Sequence, residues 1–449
     1  MSDTDKDLHA LETNLTALIN TNFDKICTLA VLCHSSEAPV PPEVPSSTTN
    51  GEELLKELID EEIVQVLPGD GLLAVDQPVK TTLIRLLSEE QNRKTAQATI
   101  SAYAAAFPNA AEEKWTLSGD IMPHMPHLAQ LIHGHGLFTE DAGRLLQQAA
   151  YFLYFQGNVF GAEPLLRLAL TAAKKKAELN AQQATNNAAL MDIAVAMDDL
   201  GVILKDQNKN EEALELFLKA QETRDAILGE DHPASGPGLN NIALLYFTEG
   251  KTQEAEKTFL RLIDILEKEH GKESAAITPV LNNIALVYEA CGHYKKAEAL
   301  ATRALKIDQT VLGTDHPDVA TDLNNLALLK QAQGDTAEAL QLLGRALSIR
   351  NLRLGENHTS TGNTHLNIAQ LTADTENYAG AERHFRKALT IFAQSLGPDH
   401  PSTLQTMEAF ATTLEKAGQE DAAQTLRDEL ERYRQANENV DEEDTTVTK

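Results

Sequence analysis

Asparagine recurs at a fixed interval through this chain, and its side-chain amide is the group in the sequence best suited to bind a ligand. An interval of 42 residues relates Asn241, Asn283, Asn325 and Asn367. The first three stand in segments of the form Leu-Asn-Asn-Ile/Leu-Ala, and the fourth in a degraded copy at 365–369. An amide offers two donors and an acceptor, so a row of amides can hold the backbone of an extended peptide whatever its side chains. This spacing indicates recognition and not bond-breaking chemistry.

The asparagines are predicted to lie on helices. In one copy, the apolar residues Leu239, Ile242, Ala243 and Tyr246 follow the i, i+3, i+4, i+7 pattern of one helix face. Asn241 lies two residues beyond Leu239, about 200° around the helix, on a separate stripe that also holds Leu244. The pattern therefore predicts an apolar face for packing and a second face for contact with a partner.

Each 42-residue unit is predicted to contain two helices. A glycine such as Gly250 ends the first helix, because it accepts the left-handed turn that follows a helix. A second helix begins near Thr252, and its small Ala255 lets the two backbones approach. The unit closes with a Gly-x-Asp-His-Pro loop such as 229–233, whose proline suits the first turn of the next helix. The Asp-His-Pro residues are thus interpreted as helix starts and not as parts of a hydrolytic triad.

The same step runs through a series of alanines, and a fixed period of this length is typical of a stacked array in which each unit contacts its neighbours. The series comprises Ala213, Ala255, Ala297, Ala339, Ala381 and Ala423. The earliest repeat, at 145–178, is separated from the next by nine extra residues, and the last repeat, near 402–436, has lost its asparagines. We therefore expect an all-α solenoid of about seven helix pairs.

These residues resemble the tetratricopeptide repeat, most closely its 42-residue kinesin-light-chain-like form, with L-N-N-L-A, G-x-Y-x-x-A, R-A-L and L-G-x-D-H-P segments. The resemblance implies a right-handed superhelix and a concave groove lined by the recurring asparagines. It marks as candidate peptide-binding residues Asn241, Asn283, Asn325, Asn367, Leu244, Leu286, Leu328 and Phe247. The alternative is that the asparagines bond between adjacent helices and only stiffen the array. Acidic Asp198, Asp199 and Asp206 favour peptides with apolar side chains and basic flanks.

The segment before the repeats has another pattern. Residues 63–67 and 72–75 flank a Gly-Asp-Gly turn, which predicts a β-hairpin, with helices over 51–60 and 79–88. This order resembles the winged-helix and linker segments of NB-ARC signalling proteins, whose ATPase core has no counterpart here because no G-x-x-x-x-G-K-[ST] motif occurs. Asp76 stands where that family commonly has a histidine near the nucleotide, and its charge would repel a phosphate.

We accordingly divide the chain into five parts by sequence alone. They are an N-terminal helix or arm (1–23), a winged-helix-like region (24–95), a helical linker (96–143), the repeat solenoid (144–436) and an acidic tail expected to be disordered (437–449).

No catalytic, cofactor or metal site is predicted, and the chain is not expected to be an enzyme. Gly271–Ser274 imitates a phosphate loop, but Glu267 stands where that motif requires glycine. The histidines at 124, 127, 133 and 135 have no cysteine nearby, and a structural role is favoured over a zinc site. No G-x-S-x-G or H-E-x-x-H segment occurs.

Composition narrows the expected partners. Lys plus Arg number 38 and Asp plus Glu 67, so the net charge is −29, which disfavours nucleic acid and anionic membranes. Three widely spaced cysteines and the lack of a signal peptide favour a cytoplasmic protein. We expect a scaffold or adaptor that binds a protein or peptide, with self-association possible. The alternatives are a detached sensor subunit that acts with a separate ATPase and a nucleic-acid-binding regulator, whose candidate helix carries only Lys80 and Arg85.

Overall fold

A computed structural model describes residues 3–35, 40–48, 50–61, 63–68, 71–107, 115–180 and 186–447. The chain divides into two compact units, Met1–Leu245 and Tyr246–Lys449, which we call the first and second units. The tip of the predicted hairpin at residues 69 and 70 and part of the proline- and serine-rich stretch lie outside the described residues.

The part of the first unit that the structure describes begins with five helices and a small hairpin. The helices are α1 (Asp3–Thr21), α2 (Phe23–Cys33), α3 (Glu43–Ser46), α4 (Gly51–Asp60) and α5 (Gln77–Leu86). The strands β1 (Gln65–Val66) and β2 (Leu73–Ala74) pair antiparallel, with Val66 opposite Leu73. The predicted hairpin is confirmed, although its strands are shorter than the apolar runs suggested. Its core consists of fully buried aliphatic side chains from α2, α4, β2 and α5, namely Ile26, Leu29, Leu58, Leu73 and Leu83.

Three helices connect this region to the repeats: α6 (Glu89–Ala106), α7 (Trp115–Ile121) and α8 (Met125–Gly134). A reciprocal capping box between Ser88 and Gln91 starts α6. Because the helix continues unbroken to Ala106, it crosses the boundary that we placed between residues 95 and 96. All three helices contact the first helix of the repeats, so the linker packs directly on the array.

In the described ranges, seven helix pairs follow, as predicted. The pairs are α9 (Glu140–Phe155) with α10 (Val159–Asn180), α11 (Asn186–Asp206) with α12 (Asn210–Leu228), α13 (Gly236–Thr248) with α14 (Thr252–His270), α15 (Thr278–Ala290) with α16 (Tyr294–Val311), α17 (Pro317–Ala332) with α18 (Thr336–Arg353), α19 (Thr359–Asp374) with α20 (Tyr378–Ser395), and α21 (Pro401–Lys416) with α22 (Glu420–Val447). The alanines of the 42-residue series are at most 1% exposed, which confirms that they mark close helix contacts.

The inter-repeat loops start helices through a histidine side chain. Histidine is the N-cap residue, and the Nδ1 atom of His316 accepts a hydrogen bond from the backbone N–H of Asp318 at 3.2 Å. His232, His358 and His400 accept the equivalent bond. The prediction that these loops initiate helices is confirmed, and the imidazole is the capping group.

The last helix differs from the composition-based expectation for 437–449. Helix α22 runs from Glu420 to Val447 and so covers most of the segment expected to be disordered. No glycine or proline interrupts residues 420–447, so the helical backbone meets no breaker there.

Candidate functional site

The candidate peptide-binding residues lie on the first helices of four successive pairs. Asn241 and Leu244 belong to the first unit, and the other six belong to the second. The four asparagines are all half-buried, as are Leu244, Leu328 and Phe247. Leu286 is the most accessible of the apolar residues, at 39% exposure. Within the second unit, we call Asn283, Leu286, Asn325, Leu328 and Asn367 the asparagine stripe.

One amide of the stripe is committed to a bond within the array. The Asn367 Nδ2 atom donates to Asn324 Oδ1 at 2.8 Å, and Asn324 belongs to the preceding repeat. The first unit has an equivalent contact, in which Gln147 Nε2 donates to Asp199 Oδ2 at 2.9 Å. Bonds between consecutive first helices stiffen an array, so Asn367 supports the alternative role that the sequence left open.

Asn325 differs from Asn367. Its half-buried amide makes no hydrogen bond within the described part of the chain. Asn282 is the residue at the Asn324 position of the preceding repeat, and its side-chain oxygen accepts no hydrogen bond from the described residues. Asn282 Nδ2 instead donates to Asp322 Oδ1 at 2.6 Å. A partly buried amide without an internal partner keeps its full hydrogen-bonding capacity for a ligand.

The acidic residues expected at one end of the groove are all engaged within the first unit. Arg224 pairs with Asp198. The Tyr151 hydroxyl donates to Asp199 at 2.5 Å, and the Tyr154 hydroxyl donates to Asp206 at 2.8 Å. Burial raises the pKa of both Asp198 and Asp199 above the ordinary range. These carboxylates are therefore less available to a ligand than their sequence suggested.

Sequence reasoning missed a set of buried polar contacts between repeats, which we call the inter-repeat polar layer. Its contacts join the two helices of one pair, or join one pair to the next repeat. The members are Asp198 with Arg224, Thr278 with Asp308, Asn282 with Asp322, Asp308 with Asp322, and Arg350 with Thr364. The sequence carries only an interrupted signal, because Arg224, Asp308 and Arg350 stand at multiples of 42 residues but Leu266 breaks the series.

A pair of contacting histidines also departs from the repeat pattern. His365 and His384 replace Leu323 and Leu342 of the preceding repeat, and their Nδ1 atoms lie 2.8 Å apart. Such a bond requires that one ring donate and the other accept. The pKa of His365 is lowered to about 4, chiefly by burial and to a smaller extent by His384.

We expect the double variant His365→Leu/His384→Leu to lose acid sensitivity. Because burial lowers the pKa of His365, the neutral pair stabilises the fold above the ordinary histidine pKa of 6.5, and this contribution is lost as the pH falls through about 4. Thermal unfolding at pH 7 and pH 5 should show a smaller difference in Tm for the variant than for the wild type. The exposed His270→Leu serves as control, and an unchanged pH dependence in the double variant would contradict the prediction.

Residues of the other candidate motifs make contacts within the protein that indicate a structural role. In the phosphate-loop imitation, Arg303 donates to the Lys272 carbonyl at 2.8 Å, and Ser274 caps the following turn. In the histidine cluster, His124 is buried against the Tyr103 ring at a centroid distance of 5.5 Å. No group of three or more His, Cys, Asp or Glu side chains in the described ranges is arranged to hold a metal ion.

The candidate nucleic-acid helix, α5, is packed against α1. Its Arg85 forms an ion pair with Glu12 of α1. A cation that already faces a carboxylate is a weaker phosphate contact than an unpaired one. Among the described residues, no helix is both long enough and apolar enough to span a membrane.

Comparison with known proteins agrees with the helix pairs. A family model described as tetratricopeptide repeat matches residues 192–268, 276–351 and 360–435, a little more than half of the chain. No curated protein matches.

The chain is similar to several solved structures. One is a kinesin light chain candidate of P. anserina with nearly identical TPR-like repeats, at 24% identity and a TM-score of 0.40 over 46% of this chain and 98% of that one. BtubC (BKLC) of P. vanneervenii is 21% identical, with a TM-score of 0.43 over 55% of this chain and 94% of its own. A signal transduction ATPase with a tetratricopeptide repeat sensor from Pyrococcus horikoshii is 15% identical, with a TM-score of 0.45 over 98% of this chain and 65% of its own.

Proposed function

We propose that this chain, which belongs to the tetratricopeptide repeat family, is a scaffold that holds an extended peptide segment of a partner protein along the asparagine stripe. Repeats of this family mediate protein–protein interactions. The finer assignment, to a peptide and to this face, is supported by one observation above all. Asn325 presents a half-buried amide that has no hydrogen-bond partner in the described part of the chain.

The surroundings of Asn325 suit an extended peptide. Leu328 lies one helical turn further along the same helix, and Leu286 occupies the equivalent position one repeat earlier, with 39% of its surface exposed. An amide between apolar side chains would bond the peptide backbone while the leucines receive apolar side chains. The net charge of −29 further favours peptides with basic flanks over acidic ones.

The test is a selection of binding peptides from a displayed random library, followed by fluorescence titration against variants. We expect Asn325→Ala to weaken binding by about two- to tenfold, the value of one neutral hydrogen bond, without lowering Tm. Leu286→Asp should weaken it by about tenfold or more, because it places a carboxylate in the apolar contact. Peptides with reversed flanking charge should bind less well.

The matched control is Asn363→Ala, which removes an exposed amide from α19 outside the stripe. Asn367→Ala provides a second comparison, since loss of its bond to Asn324 should lower stability more than affinity. If Asn325→Ala and Leu286→Asp leave the affinity of every selected peptide unchanged, the partner is held elsewhere and the stripe is structural.

A further inference from the structure

We infer that Asp308 and Asp322, two buried side chains of the inter-repeat polar layer, share a single proton at neutral pH and thereby join two neighbouring repeats. Asp308 lies on α16 and Asp322 on α17, and each is only 1% exposed. Both residues lie in the second unit. No cation pairs with either carboxyl group in the described part of the chain.

The hydrogen bonds of the two carboxyl groups lack one donor. Thr278 Oγ1 donates to Asp308 Oδ2 at 3.0 Å, and Asn282 Nδ2 donates to Asp322 Oδ1 at 2.6 Å. The remaining oxygens, Asp308 Oδ1 and Asp322 Oδ2, are buried and receive no hydrogen bond from the described residues. One proton on Asp322 lets this carboxyl group donate a hydrogen bond to Asp308. The hydrogen bonds then run without a gap from Thr278 through the two carboxyl groups to Asn282.

Burial and the neighbouring carboxylates raise the pKa values of the pair. The pKa of Asp322 is raised to about 7, chiefly by burial and also by the neighbouring Asp308, against the opposing bond from Asn282. Burial also raises the pKa of Asp308. Asp318 of α17 adds negative charge, while His316 at the start of α17 opposes it.

The nearby cation of α18 is occupied elsewhere. The Arg350 guanidinium bonds Thr321, Thr364 and the Ser360 carbonyl. From α15, the pair receives only the neutral groups of Thr278 and Asn282. Ionisation of both carboxyl groups would therefore bury two like charges without a counter-charge, which is why a pair of this kind keeps one proton.

The shared proton makes this junction sensitive to pH. A carboxyl group whose pKa is raised on folding stabilises the fold below its unfolded pKa, here 3.8, and this contribution is lost as the pH rises through about 7. The junction between the α15–α16 and α17–α18 pairs should therefore weaken towards alkaline pH. Because Asn283 and Asn325 lie on either side of it, peptide binding would weaken too, a consequence that rests on the proposed function.

The experiment replaces the acid by its amide. In Asp322→Asn, the side-chain carbonyl still accepts from Asn282, and the side-chain N–H₂ donates permanently to Asp308. We expect wild type to lose stability relative to this variant as the pH rises from 4 to 8, so that the ratio of their unfolding constants changes by about tenfold or more. Infrared difference spectra at pH 6 should show a protonated carboxyl band in the wild type that is absent from the variant. Neither measurement requires a ligand.

The exposed Asp315→Asn serves as control, because it removes one carboxylate from the loop before α17. It should follow the pH dependence of the wild type and keep the carboxyl band. The inference is overturned if Asp322→Asn keeps the wild-type pH dependence and shows the same band. It is also overturned if Ca²⁺ or Mg²⁺ raises the Tm of the wild type but not of Asp322→Asn, since the oxygens would then hold a cation in place of the proton.

Discussion

Arg224→Met is expected to lower the free energy of unfolding by about 3–5 kcal/mol, the usual cost of removing one partner from a buried ion pair. The Arg224 side chain is 5% exposed and that of Asp198 is 18% exposed, so water screens neither of them well. Burial already raises the pKa of Asp198, even though Arg224 opposes this shift. Without the guanidinium, Asp198 must either stay charged without a partner or take up a proton.

A second substitution distinguishes the effect of the lost ion pair from the effect of lost packing. Methionine keeps most of the apolar volume of the arginine stem, so the loss should come from the stranded charge. Asp198→Asn/Arg224→Met should then recover most of the stability that Arg224→Met loses. Denaturant unfolding at pH 7 measures all three proteins, with the exposed Arg345→Met as control. Equal stabilities for the single and double variants would show that the charge is not the cause.

Much of the array could be predicted from sequence because its signals are local. The alanine series and the glycine ends report the close approach of neighbouring helices, and both depend on residues a few positions apart. Gly250, Gly292 and Gly334 do adopt positive φ angles of 75°, 72° and 86° after the first helices of their pairs. Local signals also explain why the short hairpin on the N-terminal side of the repeats could be predicted.

The inter-repeat polar layer could not be predicted because burial of a charge depends on partners that are distant in sequence. Arg224 reaches Asp198 across 26 positions, and Asn282 reaches Asp322 across 40. On a helical period alone, each of these residues reads as part of a solvated face. Only the packed helices show that the residues meet in the interior.

The stripe illustrates the same limit within the candidate site. Asn325 and Asn367 occupy the same position in consecutive repeats, and sequence assigns them one role. They differ because Asn324 accepts from Asn367, whereas Asn282 is drawn towards Asp322 and leaves Asn325 without that bond. The polar layer thus decides which amides lack a partner within the array, so the buried contacts and the proposed recognition surface must be considered together.

The aromatic pair of the last repeats carries the second large effect, because Phe385→Ala is expected to cost about 3–5 kcal/mol through the cavity that it leaves. Phe385 is 1% exposed, and its ring stacks on Phe410 with centroids 5.3 Å apart. Small and aliphatic neighbours complete this core, namely Ala369, Ala381, Leu414 and Ala423. None of them is large enough to fill the space of a lost ring.

The location of this loss distinguishes an array from a domain with one central core. Since each repeat is stabilised by its own contacts and those with its neighbours, Phe385→Ala should weaken α19–α22 first. Native-state hydrogen exchange should therefore show a greater loss of protection in α21 than in α15. The control is Leu352→Ala on α18, a side chain that is 70% exposed and should cost little. A uniform loss of protection across the second unit would contradict this expectation, because it would mean that the repeats unfold only together.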